Sequence, residues 1–100
     1  AVIDLATGKA AIGLKAAPDD LTAYWALTAT VTSPGASVSF AIRRHGRPWQ
    51  RVAVDDSPPY RGFVDPARFG KHEQVEAVAV ARAVGGALSV SHVATFRPRR

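Results

Sequence analysis

The chain has 100 residues, 47% of them hydrophobic and 21% charged, with 13 basic and 8 acidic side chains, a net charge of +5 and no cysteine. This is one small domain of ordinary globular composition, which excludes a disordered, collagen-like or disulfide-stapled chain and any thiolate metal site. A chain of this length buries roughly 60–70% of its unfolded surface, enough for a modest core without staples.

Turn residues punctuate the sequence at intervals: Pro34-Gly35, Gly46, Pro58-Pro59, Gly70 and Gly85-Gly86. Short β-rich runs lie between them, the pattern of an all-β sandwich or barrel. Residues 1–18 read as an N-terminal edge strand or a linker. Ala10 to Leu14 suit the strand, and Ala1 to Thr7 suit a short helix or linker. From Leu21 to Thr32 the sequence alternates, with Trp25, Leu27, Ala29 and Val31 on one face and Ala26, Thr28, Thr30 and Thr32 on the other. Pro34-Gly35 turns the chain. Val38, Phe40 and Ile42 then alternate with Ser37, Ser39, Ala41 and Arg43, the cleanest strand in the chain, and its Ser residues suit a wet face.

Arg44-His45-Gly46-Arg47 reads as a hairpin turn in which Gly46 supplies positive φ. A strand from Pro48 to Val54 opens on Trp49. Asp55-Asp56-Ser57-Pro58-Pro59 is a loop, and Tyr60 to Val64 a short strand. Asp65 to Gly70 predicts one helical turn capped by Asp65, with Pro66 at its first position and Gly70 at its end. Gln74 to Ala83 is apolar almost throughout. It reads as a strand covered on both faces, or covered on one face by nearby Arg side chains. Gly85-Gly86 then turns into a last strand, Leu88 to Phe96, with Leu88, Val90, His92, Ala94 and Phe96 on one face. Pro98 ends the pairing. The expectation is an all-β, single antiparallel sandwich of about seven strands over residues 19–97, with a C-terminal tail at 98–100.

The basic residues form two clusters. Arg43, Arg44, His45, Arg47 and Arg51 make one, and Arg97, Arg99 and Arg100 the other. Neither is a run of five or six like charges, so they read as solvated strand faces and turns rather than a nucleic-acid arm. Apolar stretches fall far short of the ~20 residues of a membrane span. No signal peptide is read, and the absence of Met even at position 1 implies an excised or processed piece of something longer.

No catalytic site is expected. There is no G-x-S-x-G elbow, and the strand neighbours Ser91 and His92 point to opposite faces. His45, His72 and His92 share no metal-ligand spacing. Asp55 and Asp56 are adjacent carboxylates of the kind that help bind Ca²⁺, but the D-x-D-x-D-G pattern is missing. One of the pair is expected to shape the loop through backbone N–H bonds, while the other meets solvent or an Arg. Tyr24, Trp49 and Tyr60 are candidate platforms for stacking a sugar ring, the competing role being core filling. Trp25 lies in the apolar phase of its strand and reads as core.

Ala36 to Arg44, then Gly46, then Trp49, then Asp55-Asp56-Ser57-Pro58-Pro59-Tyr60-Arg61 is similar to bacterial immunoglobulin-like modules. Those carry a V-x-F strand, a Trp after the hairpin, a D-D-x-x-P-Y loop and a late A-V-A-x-D-x-x-G element. Here the late element is Ala77-Val78-Ala79-Val80-Ala81-Arg82-Ala83-Val84-Gly85, without the Asp before the turn. The likeness runs from Thr22 to Phe96 and speaks to fold more than to function. It marks Trp49, Asp55, Asp56, Pro59 and Tyr60 as structural motif residues and implies an immunoglobulin-like or fibronectin III-like sandwich.

The resemblance further implies a non-catalytic accessory or spacer domain, monomeric in isolation, on a secreted actinobacterial-type enzyme such as an α-amylase- or pullulanase-like glycoside hydrolase. Its partner would be the rest of that polypeptide, with no cofactor, membrane or nucleic acid. The alternatives are a carbohydrate-binding module that takes a polysaccharide, and an interaction or adhesion module working through a free strand edge.

Overall fold

The computed structural model describes residues 3–4, 12–32 and 36–99. Most of Ala1 to Thr7, and the Pro34-Gly35 turn, lie outside the described residues. The strands are β1 (Ile3–Asp4), β2 (Ile12–Pro18), β3 (Trp25–Val31), β4 (Ser37–Arg44), β5 (Gln50–Asp55), β6 (Tyr60–Val64), β7 (Val75–Arg82), β8 (Leu88–Val90) and β9 (Ala94–Phe96). One sheet has the order β2-β3-β6, and the other the order β1-β8-β7-β4-β5, with β9 also paired to β7. All pairings are antiparallel. The two sheets form an all-β sandwich. Because β8 and β9 are two halves of one interrupted strand beside β7, the described residues hold eight strands rather than seven.

The core lies between the sheets. Ile12 and Leu14, Trp25, Leu27 and Ala29, Val38, Phe40 and Ile42, and Tyr60 and Val64 all point into it. On β7 the inward residues are Val75, Ala77, Ala79 and Ala81. In register, Val38 lies beside Ala81, Phe40 beside Ala79 and Ile42 beside Ala77. Bulky β4 side chains thus interleave with small β7 ones, which keeps the interior at native density. Val78 and Val80 fall on the outer face.

The last strand does not run unbroken from Leu88 to Phe96. Ser89 and Ser91 point inward, whereas Ala94 and Phe96 face in further along, so the phase reverses across residues 91–93. Leu88, Val90, His92, Ala94 and Phe96 therefore do not share one face. At the break Ser91 N–H donates to the Ala79 carbonyl and Ala79 N–H donates to Ser91 Oγ, both at 2.9 Å. The Ser91 hydroxyl in turn donates to the His92 carbonyl at 2.8 Å. A side chain thus replaces a missing ladder partner, and the buried Ala79 N–H is satisfied.

Gly46 and Gly86 turn the two hairpins with φ of +77° and +91°. Pro66–Arg68 forms a 3₁₀ turn. The Asp65 carboxylate caps it by accepting from Ala67 N–H, and it closes at Phe69 rather than Gly70. Pro98 and Arg99 are tied to the sandwich. Pro98 is buried and its carbonyl accepts from Trp25 Nε1–H at 3.0 Å, while the Arg99 carbonyl accepts from His72 N–H at 2.8 Å. At the N-terminal side, β2 pairs with β3 along its whole length and belongs to the sandwich.

Tyr60 is buried, and its hydroxyl donates to the Ala36 carbonyl at 2.8 Å. Tyr60→Phe removes that donor without changing shape. It is expected to lower stability by about 1–2 kcal/mol, the cost of leaving a buried carbonyl unpaired. Urea unfolding with an unchanged m-value would show it.

Candidate functional site

Strand register gathers the distant basic clusters. Arg44 pairs with Val75, and Val75 pairs with Phe96. The β4–β5 hairpin, the segment between β6 and β7, and the residues after β9 therefore meet at one end of the sandwich. Arg43, Arg44, His45 and Arg47 arrive there on the hairpin, Arg68, Lys71 and His72 on the connection, and Arg97 and Arg99 after β9.

A groove of about 570 Å³ opens at this end. Its apolar lining residues are Ile42, Phe69 and Pro48. Its walls carry Arg43, Arg44, Arg47, Arg68, Gln50 and Glu73. Two of the arginines are held in place. Arg44 lies over the Phe69 ring at 5.0 Å, meets Glu73 Oε2 at 3.1 Å through Nε, and donates to the Arg68 carbonyl at 2.8 Å. Arg43 donates through Nε to Glu76 Oε1 at 2.9 Å, and its guanidinium sits 4.4 Å from the centre of the Trp49 ring. The guanidiniums of Arg47 and Arg68 meet no carboxylate among the described residues.

Glu73 is the acid of the groove. The hydrogen bond from Gly70 N–H, and then the hydrogen bond and charge of Arg44, outweigh a desolvation effect and hold its carboxyl below the ordinary carboxylate range. A folded-state value below the unfolded one adds stability above the unfolded pKa, and that stability is lost as pH falls through the folded value. Glu73→Gln should therefore flatten the acid side of a plot of thermal midpoint against pH. Parallel curves for the two proteins would show that Glu73 contributes no such linkage.

The three candidate stacking aromatics do not come together. Trp49 is 39% exposed on the β4–β5 connection, with one ring face taken by Arg43. Tyr24 is 44% exposed on the β2–β3 connection. Tyr60, at 4% exposure, presents no face to a sugar; its place after a Pro-rich loop did not reveal that its ring turns inward. Trp25 is core, its ring centre 4.9 Å from that of Phe96.

Asp55 accepts from the N–H groups of Ser57 and Arg61, and Asp56 accepts from the Ser37 hydroxyl at 2.9 Å. The Asp55 carboxylate thus shapes the loop that carries Pro59. Among the described residues no three His, Asp or Glu side chains are grouped to hold a metal ion. Among the described residues no helix is long and apolar enough to cross a membrane. Arg68, Phe69 and Glu73 carry no site signal in the sequence because they lie far along the chain from Arg43, Arg44 and Arg47, with which they share the groove.

Comparison with protein-family models, with curated proteins and with solved structures returns no match.

A second feature lies on the outer face of the larger sheet. Val54, Ser39, Val80 and Val90 stand in register across four strands. The next row pairs Ala41 with Val78. Val54 is 52% exposed, and Val93, in the break between β8 and β9, 46%.

Proposed function

We propose that this chain is a non-catalytic immunoglobulin-like accessory module of a larger secreted carbohydrate-active enzyme, which positions a neighbouring domain by packing against it. The supporting observation is the row Val54, Ser39, Val80 and Val90 on the outside of the larger sheet. An antiparallel sheet that faces water ordinarily turns polar residues outward. Here three of the four outward residues in the row are valines, with Val54 half exposed, and outward apolar side chains of this kind are a mark of docking. The partner that suits it is a rigid apolar surface of the same polypeptide, since tethering supplies the effective concentration that a modest patch needs.

Amide exchange on the whole enzyme and on the isolated 100 residues tests this. Amides of β5 and β8 should exchange more slowly in the whole enzyme, and Val54→Lys should remove the difference. Equal exchange in both would overturn the docking reading.

The exposure of Trp49 supports a second reading, a carbohydrate-binding module. On the accessory reading the isolated chain passes unretained through insoluble starch. Retention that disappears with Trp49→Ala would put the binding module in its place.

A further inference from the structure

We propose that the groove between the β4–β5 hairpin and the 3₁₀ turn binds an oxyanion, a sulfate or phosphate ester, through Arg47 and Arg68. This reading is independent of the docking face, because the groove lies at one end of the sandwich and the valine row lies on a sheet surface.

Four guanidiniums line the groove against one carboxylate. They are not equivalent. Arg44 is braced by Glu73, the Arg68 carbonyl and the Phe69 ring, and Arg43 by Glu76 and Trp49. These two are internal struts whose charge is largely answered. Glu73 is likewise occupied by Arg44 and Gly70 N–H, so its repulsion of an incoming anion is blunted. The guanidiniums of Arg47 and Arg68 remain, one on the hairpin and one on the 3₁₀ turn, both lining the same groove. Uncompensated guanidiniums facing one concavity are a recognition device for sulfate and phosphate. The planar fork donates two parallel hydrogen bonds to neighbouring oxygens, and the charge persists at any working pH.

Size indicates more than a bare ion. About 570 Å³ lies within the range of small-molecule sites. Ile42 and Phe69 lie buried beneath the groove, with Arg44 over the Phe69 ring, so its accessible lining is mainly polar, and the Gln50 amide supplies a neutral donor and acceptor. A charged group seated on the arginines, with a hydroxyl-bearing, hexose-sized body beside Gln50 and Pro48, would fill it. The class is thus a sulfate or phosphate ester, whether a free small molecule or a substituent on a polymer.

The test is a titration of the ¹⁵N-labelled chain at fixed ionic strength with sodium sulfate, sodium phosphate, a hexose 6-phosphate and the neutral hexose. Saturable shifts are expected around residues 47, 50 and 68, with the hexose phosphate binding more tightly than the inorganic ions and the neutral hexose not at all. Arg47→Gln and Arg68→Gln should each weaken binding at least about tenfold, the loss of one charge-assisted pair. Both side chains are exposed, so the thermal midpoint serves as a check that the fold is kept.

Arg82, exposed at the opposite end beside the β7–β8 turn, is the control, and Arg82→Gln should leave the affinity unchanged. A linear, unsaturable drift shared by all arginines, or equal losses with Arg82→Gln, would overturn the proposal. Tight binding of inorganic phosphate with no gain from the hexose would overturn the ester and leave an ion site. If the site holds for free esters, the same titration with a sulfated or phosphorylated oligosaccharide separates the two sources: tighter binding than the monosaccharide assigns the polymer, and equal binding the free ester.

Discussion

Replacing Phe40 by alanine is expected to destabilise the domain by about 3–5 kcal/mol, the usual cost of removing a buried aromatic side chain. Phe40 is fully buried at the centre of β4. Its ring abuts a position where any side chain would be crowded: a Cβ on Gly62 would stand 3.1 Å from Phe40 Cδ2 and 3.1 Å from Ala53 Cβ. On β7 its neighbour in register is Ala79. Small residues on two sides therefore make room for one large ring, and neither Gly62 nor Ala79 can fill the space it would leave. A domain of this size has a total stability of about 5–15 kcal/mol, so the loss is a large fraction of the whole. It corresponds to at least about 12 °C in thermal midpoint.

The companion experiment is a double-mutant cycle. Gly62→Val alone should destabilise by about 1–3 kcal/mol through overpacking against the ring. Combined with Phe40→Ala, the valine enters the vacated space, and the double variant should be more stable than the sum of the single losses predicts. Strict additivity would show that the ring and residue 62 do not share the space that the Cβ distances assign them.

Trp25→Ala is expected to cost a similar amount, about 3–5 kcal/mol, and to act at a distance along the chain. The indole packs on Phe96 and donates to the Pro98 carbonyl, so it holds both β9 and the residues after it. Those residues in turn support the segment between β6 and β7, because the Arg99 carbonyl accepts from His72 N–H and an Arg99 guanidinium nitrogen lies 3.3 Å from the Phe69 carbonyl. The signature is therefore local as well as global. The His72 amide should exchange faster in the variant than the Ala79 amide, which is held by Ser91. Uniform acceleration at both amides would mean that Trp25 contributes bulk to the core and does not anchor the chain end.

Much of the fold is legible locally. The alternation in β3 and β4 places Trp25, Leu27, Ala29, Val38, Phe40 and Ile42 inward, because side chains two apart share a face of a strand. Gly46 and Gly86 occupy positive-φ turn positions that other residues rarely take, and Asp65 caps the turn that follows it. The Asp55 carboxylate binds the loop N–H groups, as such a residue in a Pro-rich loop is expected to do.

The remaining features depend on contacts between distant parts of the chain. Periodicity has no sign in β7, where alanine and valine alternate and both are apolar. Hydrophobicity alone would turn the valines inward, but the bulk of Val38, Phe40 and Ile42 beside them admits only alanine. The phase reversal in the last strand follows from the Ser91 hydroxyl standing in for a backbone partner, a choice available only beside Ala79. Trp49 and Tyr60 both follow turn or loop residues, yet one is exposed and the other buried, because Tyr60 takes the inward phase of β6 opposite Ala29 whereas Trp49 precedes β5. The arginine groove is the clearest case. Arg47 and Arg68 are separated by 20 other residues, and only the meeting of the β4–β5 hairpin with the 3₁₀ turn makes them walls of one cavity. Composition and alternation determine which residues avoid water; register determines which charges meet.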